Sequence, residues 1–120
     1  MKQKWLLFSL LVIMASCTKQ EPMEALIDRV FSVAEQQYVA MDARLDDKTM
    51  PQTITHDSTF KSSTIYWWCS GFYPGSLWYI YEYTQNDTVK LLAEKNTLKL
   101  DPIQYVTHDH DVGFQLNCSY

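Results

Sequence analysis

Aromatic side chains crowd one short stretch of this 120-residue sequence, from Phe60 to Tyr83, and the crowding limits what the chain can become. Aromatics make up 14% of the residues, and a domain of about 100 residues builds only a modest core. Many of these rings must therefore face a ligand or apolar protein surface that the stretch itself does not supply.

The rest of the pattern is helical. From about Met23 to Leu45, the residues Leu26, Val30, Val33, Ala34, Tyr38, Met41 and Leu45 recur at spacings of three and four, with Glu24, Asp28, Arg29, Glu35 and Asp42 opposite them. That is one amphipathic helix. Asp46 to Lys61 loses the period and gathers Pro51, Asp57 and several Thr and Ser, so it reads as a long loop. A second helix begins near Phe72 to Gly75, where proline is tolerated in a first turn, and runs to Thr84 with Leu77, Ile80, Tyr81 and Thr84 on one stripe. Asn86-Asp87 breaks it, and Asp87 or Thr88 caps a third helix from Val89 to about Leu100. Val89, Leu91, Leu92, Ala93, Leu98 and Leu100 give that helix a wide apolar face, as in one packed on two sides; Pro102 ends it. A fourth helix starts at Val112. Thr64 to Trp68 could pass for a short strand, but no strand pattern matches the helical ones in strength, and the fold class is all-α.

The first residues are of another kind. Lys2 and Lys4 precede an apolar run from Trp5 to Met14 and then Ala15-Ser16-Cys17. The run is too short for a permanent membrane span and has the layout of a signal peptide over residues 1–16. Small residues followed by cysteine resemble a bacterial lipobox, in which the thiol of Cys17 is acylated and residues 17–22 form a tether ahead of a domain at 23–120. The chain is then exported and lipid-anchored, in the periplasm or at the outer membrane of a Gram-negative bacterium. Met14 departs from the usual residue three places before such a cysteine, and a plain secretory signal is the alternative. Loss of Lys2 and Lys4 with the leader leaves eight of the ten basic residues against 14 acidic ones. The basic residues are scattered and only Arg29 and Arg44 are arginines, which excludes a nucleic-acid surface. Cys69 and Cys118, far apart in sequence, either pair or remain free thiols.

Two clusters carry chemistry: Tyr66-Trp67-Trp68-Cys69-Ser70-Gly71-Phe72-Tyr73-Pro74-Gly75 and Thr107-His108-Asp109-His110-Asp111-Val112-Gly113-Phe114. Each lies where a loop meets a helix, and in an up-and-down bundle the two junctions fall at the same end. Indole faces stack on the C–H faces of sugar rings, and Gly71 and Gly75 permit close backbone approach; a packed aromatic plug is the alternative for the first cluster. For the second, three readings stand: Asp111 as a helix N-cap, a metal site using His108, His110 and Asp111, or a carboxyl in a cleft tuned for acid-base work.

Taken together, Trp68-Cys69-Ser70-Gly71-Phe72-Tyr73-Pro74-Gly75-Ser76-Leu77-Trp78, then Tyr81-Glu82-Tyr83-Thr84, then His110-Asp111-Val112-Gly113-Phe114 resemble the unsaturated glucuronyl hydrolases, glycoside hydrolase family 88. The likeness runs from about Met23 to Tyr120 and corresponds to that family's N-terminal region. It implies the first hairpins, about four helices, of an alpha/alpha six-hairpin barrel that is incomplete in this chain. The implied activity is removal of a 4,5-unsaturated uronic acid from the non-reducing end of oligosaccharides that lyases release from glycosaminoglycan or pectin-like polymers. No metal or organic cofactor is implied, and the membrane is met only through the lipid anchor.

Residue by residue, the resemblance matches Asp111 to the first of two active-site aspartates and Trp68 to an aromatic lining the sugar subsite, and it sets His110 beside the acid to orient it. The second aspartate, the family's principal general acid and base, has no counterpart here, so the 120-residue polypeptide is expected to be inactive on its own. A lipid-anchored glycan-binding protein that uses Trp67, Trp68 and Tyr73 without catalysis is the alternative of a different class.

Overall fold

The computed structural model describes residues 20–120, so the leader and Cys17 lie outside the described residues. Helix α1 (Met23–Asp42) leads into strands β1 (Thr49–Ile54) and β2 (Phe60–Thr64), followed by helices α2 (Phe72–Thr84) and α3 (Asp87–Leu98), a 3-10 turn over Asp101–Tyr105, and the short helix α4 (Val112–Leu116). The architecture is mostly helical, and among the described residues no helix is long and apolar enough to cross a membrane.

The stretch expected to be a loop contains a β-hairpin instead. Thr49 pairs with Thr64, Met50 with Ser63 and Ile54 with Phe60, antiparallel, with an irregularity between Pro51 and Thr53. Threonine-rich sequence is polar yet suits extended backbone, and only Met50 of the two strands is fully buried, so no alternation of apolar residues announces the element. The strands join through Thr55–Thr59. Ser58 takes the left-handed conformation at φ 63°, its N–H bonding Thr55 O at 2.9 Å. Strand geometry stops at Thr64, short of Trp68.

Helix α1 ends at Asp42 rather than Leu45, where the Asp46 carboxylate takes up the Lys48 N–H and the Thr49 hydroxyl and starts a turn. Asp42, expected on the polar side, is buried. Its Oδ2 accepts from Lys95 Nζ at 3.0 Å and its Oδ1 from Asn96 Nδ2 at 2.6 Å, which lets a carboxylate sit under α3. Burial tends to raise its carboxyl, yet the hydrogen bonds from Asn96 and Lys95 and the charges of Lys95 and Lys99 outweigh that and hold it below the usual carboxylate range.

Helices α2 and α3 form the hairpin on which the core is built. Tyr73, Leu77 and Ile80 from α2 meet Val89 and Ala93 from α3, and Met50, Leu100 and Ile103 complete the cluster. The break between the helices is as expected, but Asn86 is the cap: its Oδ1 accepts the Thr88 N–H at 2.8 Å, while Asp87 and Thr88 lie within the helix. Its Nδ2 also donates to Glu35 Oε1 at 2.8 Å, tying the cap to α1. The wide face expected of α3 is narrower, because Leu91 and Leu98 are exposed while Asn96 and Thr97 turn inward. Thr97 is held there by a 3.0 Å bond from Trp78 Nε1.

Candidate functional site

The two chemistry-bearing clusters meet because α4 lies on the first turn of α2. A Cβ built on Gly71 would fall 2.6 Å from Phe114 O and nearer still to Gln115 O, and one on Gly75 would fall 2.6 Å from Cys118 O. The two glycines therefore admit the chain's own backbone rather than a ligand, a correction to their expected use. Contact at Gly71 puts Phe114 among the rings of the first cluster.

There the rings form an edge-to-face group. Centroids of Trp68 and Phe72 are 5.9 Å apart, Trp68 and Phe114 6.4 Å, Phe72 and Phe114 6.3 Å, and Trp67 packs against Trp68 at 6.0 Å. Trp68 is 45% and Phe114 54% exposed, so this is an apolar wall facing outward and not a closed plug. Tyr73 stands apart from it. That ring is in the core, stacked on Tyr38, with its hydroxyl donating to Asp42 Oδ1 at 3.4 Å, which removes it from the proposed glycan-binding set. Burial and the Asp42 charge push its phenol far up, so the hydroxyl keeps its proton.

Asp111 occupies the residue ahead of α4 but does not cap it with its side chain. Its backbone carbonyl accepts the Phe114 and Gln115 N–H groups at 2.9 and 3.1 Å, and its own N–H is held by Asp109 Oδ1 at 2.9 Å. The simple N-cap account of this carboxylate is thus replaced: three backbone bonds fix the residue and leave the carboxyl free, with 24% of the side chain accessible. His110 Nε2 stands 3.6 Å from Asp111 Oδ1 on an almost fully exposed imidazole, so an ion pair forms when the ring is protonated. The ligand-capable atoms of Asp109, His110 and Asp111 all lie within 4.8 Å of one another; His108, named in the metal reading, is not in that group.

Cys69 links the two sides of the site. Burial first, and the negative charge of Asp111 second, push its thiol up, so the field of that carboxylate reaches the residue next to Trp68. Cys69 is half-buried, Cys118 is exposed, and both are free thiols. Sequence reasoning missed Gln115, whose buried side chain donates from Nε2 to Tyr66 O at 3.1 Å, and the full burial of Ser70. A polar residue following Phe114 gives no periodic signal in a helix of five residues.

Two hollows lie elsewhere. One of about 450 Å3 runs between the outer side of α2 and the last residues, with Trp78, Tyr81, Glu82 and Tyr120 in its lining. Another of about 410 Å3 lies between α1 and the hairpin, with Tyr38, Arg44 and Phe60 in its lining. Neither has Trp68 or Asp111 in its lining.

No protein-family model matches the chain. It is 38% identical over 53 residues to an unsaturated glucuronyl hydrolase of Formosa agariphila, covering 44% of this chain and 13% of that protein. It is 35% identical over 100 residues to an unsaturated chondroitin disaccharide hydrolase of Streptococcus pneumoniae, covering 81% of this chain and 24% of that one. Among solved structures, an unsaturated glucuronyl hydrolase specific for heparin superposes with a TM-score of 0.72 at 35% identity, covering 77% of this chain and 25% of that structure. The chain thus spans about a quarter or less of the length of the relatives it matches.

Proposed function

We propose that this chain, homologous to about a quarter of the unsaturated glucuronyl hydrolases, supplies one wall and one carboxyl group of a glycoside hydrolase that removes a 4,5-unsaturated uronic acid from lyase-generated glycosaminoglycan oligosaccharides. The observation that carries the reading is the junction of α2 and α4, which brings Trp68 and the Asp111 turn together from distant parts of the sequence through Phe114 and Gly71.

In this reading the sugar ring stacks on the Trp68 indole and Asp111 faces its C4=C5 bond, with His110 beside the carboxyl. A carboxylic acid protonates C4, positive charge develops at C5 and the ring oxygen, and water adds at C5 as its proton passes to a carboxylate. The resulting hemiketal opens, and the bond to the neighbouring sugar breaks as that sugar leaves with a proton. Ordinary two-carboxylate glycosidases build the cation at the anomeric carbon instead. The second aspartate and the remaining barrel helices belong to sequence of the kind that occupies the other three quarters of the relatives. Export by residues 1–16 and anchoring through acylated Cys17 belong to the same proposal.

Replacing the corresponding segment of the Streptococcus pneumoniae relative with residues 23–120 tests it. Loss of the double bond's ultraviolet absorbance from an unsaturated chondroitin disaccharide should follow, and Asp111→Asn should slow it by about 100-fold or more, the usual worth of a positioned proton donor or acceptor. A folded chimera whose turnover ignores Asp111→Asn refutes the assignment. Of the expected glycan-binding set, Tyr73 is in the core, so a purely non-catalytic binder is the weaker reading.

A further inference from the structure

Gln115 is 1% exposed, although it belongs to a helix of only five residues near the surface. Three of its groups are engaged with the site. Its backbone N–H bonds Asp111 O at 3.1 Å, its carbonyl rests against Gly71, and its side-chain Nε2 donates to Tyr66 O at 3.1 Å. Tyr66 is two residues before Trp68, and Phe114, just ahead of Gln115, touches both Trp68 and Phe72. Among the described residues, the bond from Gln115 to Tyr66 is the one side-chain hydrogen bond joining residues 107–120 to residues 64–71. Its Oε1 is buried without a partner, so the amide is kept at a cost that a methionine of similar size would avoid.

We propose that Gln115 is a positioning residue: its side-chain amide fastens the turn carrying Asp111 to the Trp67-Trp68 segment, so that carboxyl and indole wall keep one relative placement. The use of that placement on a sugar rests on the hydrolase reading above; the placement itself does not.

Cys69 reports the placement from within the protein, because the Asp111 charge helps hold its thiol up. With Cys17→Ser and Cys118→Ser making Cys69 the sole thiol of the mature chain, its alkylation rate is measured at mildly alkaline pH. Asp111→Asn should raise that rate by about two-fold, since the charge that helps hold the thiol up is removed. In the Gln115→Met background the same substitution should change the rate hardly at all, since the turn no longer holds the charge near the thiol. A role in stability alone would shift the unfolding midpoint and leave the response to Asp111→Asn intact; an equal response in both backgrounds therefore overturns the proposal.

If Gln115→Met does not fold, the unmodified chain decides. The Gln115 side-chain amide protons should be protected from solvent exchange and show nuclear Overhauser contacts to Tyr66, and exchange at the free-amide rate overturns the proposal. A chimera without turnover would sink the hydrolase reading and leave these two measurements as they are. Their failure would in turn leave the turnover assay to be judged separately.

Discussion

Gly71→Ala should destabilise the protein, whereas Gly113→Ala should not. At Gly71 the backbone is already right-handed, φ −73° and ψ −21°, so alanine meets no conformational strain. Gly71 is the residue ahead of α2, a cap position at which glycine is favoured over alanine, so propensity offers the substitution no gain. The new methyl, however, would lie 2.6 Å from Phe114 O and 2.7 Å from the Gln115 carbonyl carbon, both backbone atoms of α4. No side chain can rotate away, so α4 must back off by most of an ångström or the start of α2 must tilt. Overpacking of that kind costs about 1–3 kcal/mol, and no propensity gain offsets it. At Gly113 the added methyl meets only Asn117 Nδ2 at 3.7 Å, an ordinary contact within a helix, and the gain of about 0.5–1 kcal/mol stands unopposed. Urea unfolding followed by circular dichroism gives both midpoints. Tryptophan fluorescence should also change more in Gly71→Ala, since Trp68 loses its seat against Phe114. A Gly71→Ala midpoint at or above that of the unmodified chain would refute the close packing of α4 on α2, and with it the way Trp68 and Asp111 are brought together.

Two further outcomes follow from named residues. Because the folded-state carboxyl of Asp42 is depressed, its stabilisation is present in full above the unfolded carboxyl range and is lost as pH falls through the folded value. Asp42→Asn should lower stability at neutral pH by about 1–3 kcal/mol and flatten the acid side of the stability profile, and an unchanged profile would contradict the Asn96 and Lys95 contacts. Cys17→Ser should abolish incorporation of labelled fatty acid in a Gram-negative host and release the chain from the membrane fraction; labelling that persists would leave the plain secretory signal.

The helical part of the fold was legible because it rests on periodicity. The extent of α1, the start of α2 near Phe72 to Gly75 and the break at Asn86 follow from spacing and local backbone preference, but Val30 and Val33 of the expected α1 stripe are exposed, and Phe31 and Val39 pack against the core instead. The hairpin was not, since its strands bury a single side chain completely and their threonines carry an extended-backbone preference that resembles loop composition. Asp42 was misplaced for a different reason. Period assigns a face by the average of many residues, while one carboxylate is carried inward by two donors, Lys95 and Asn96, that only the packing of α3 supplies. Leu91 and Leu98 erred in the opposite direction, as apolar residues with nothing in residues 20–120 to cover them.

The block from Trp68 to Gly75 serves two ends with different residues, and the division explains why its composition alone left a packed plug and a sugar wall both open. Tyr73, Pro74 and Gly75 are buried and secure the start of α2, while Trp68 and Phe72 stand outward. Gly71 joins the two uses, because the absence of its side chain is what seats α4, and α4 carries Phe114 to the rings and Asp111 to the turn beside them. A site built this way depends on packing some distance from its reacting groups. Perturbing Gly71 or Gln115 should therefore disturb the relation between Asp111 and Trp68 without touching either residue, whereas removing the outward indole of Trp68 should leave the α2 and α3 core standing.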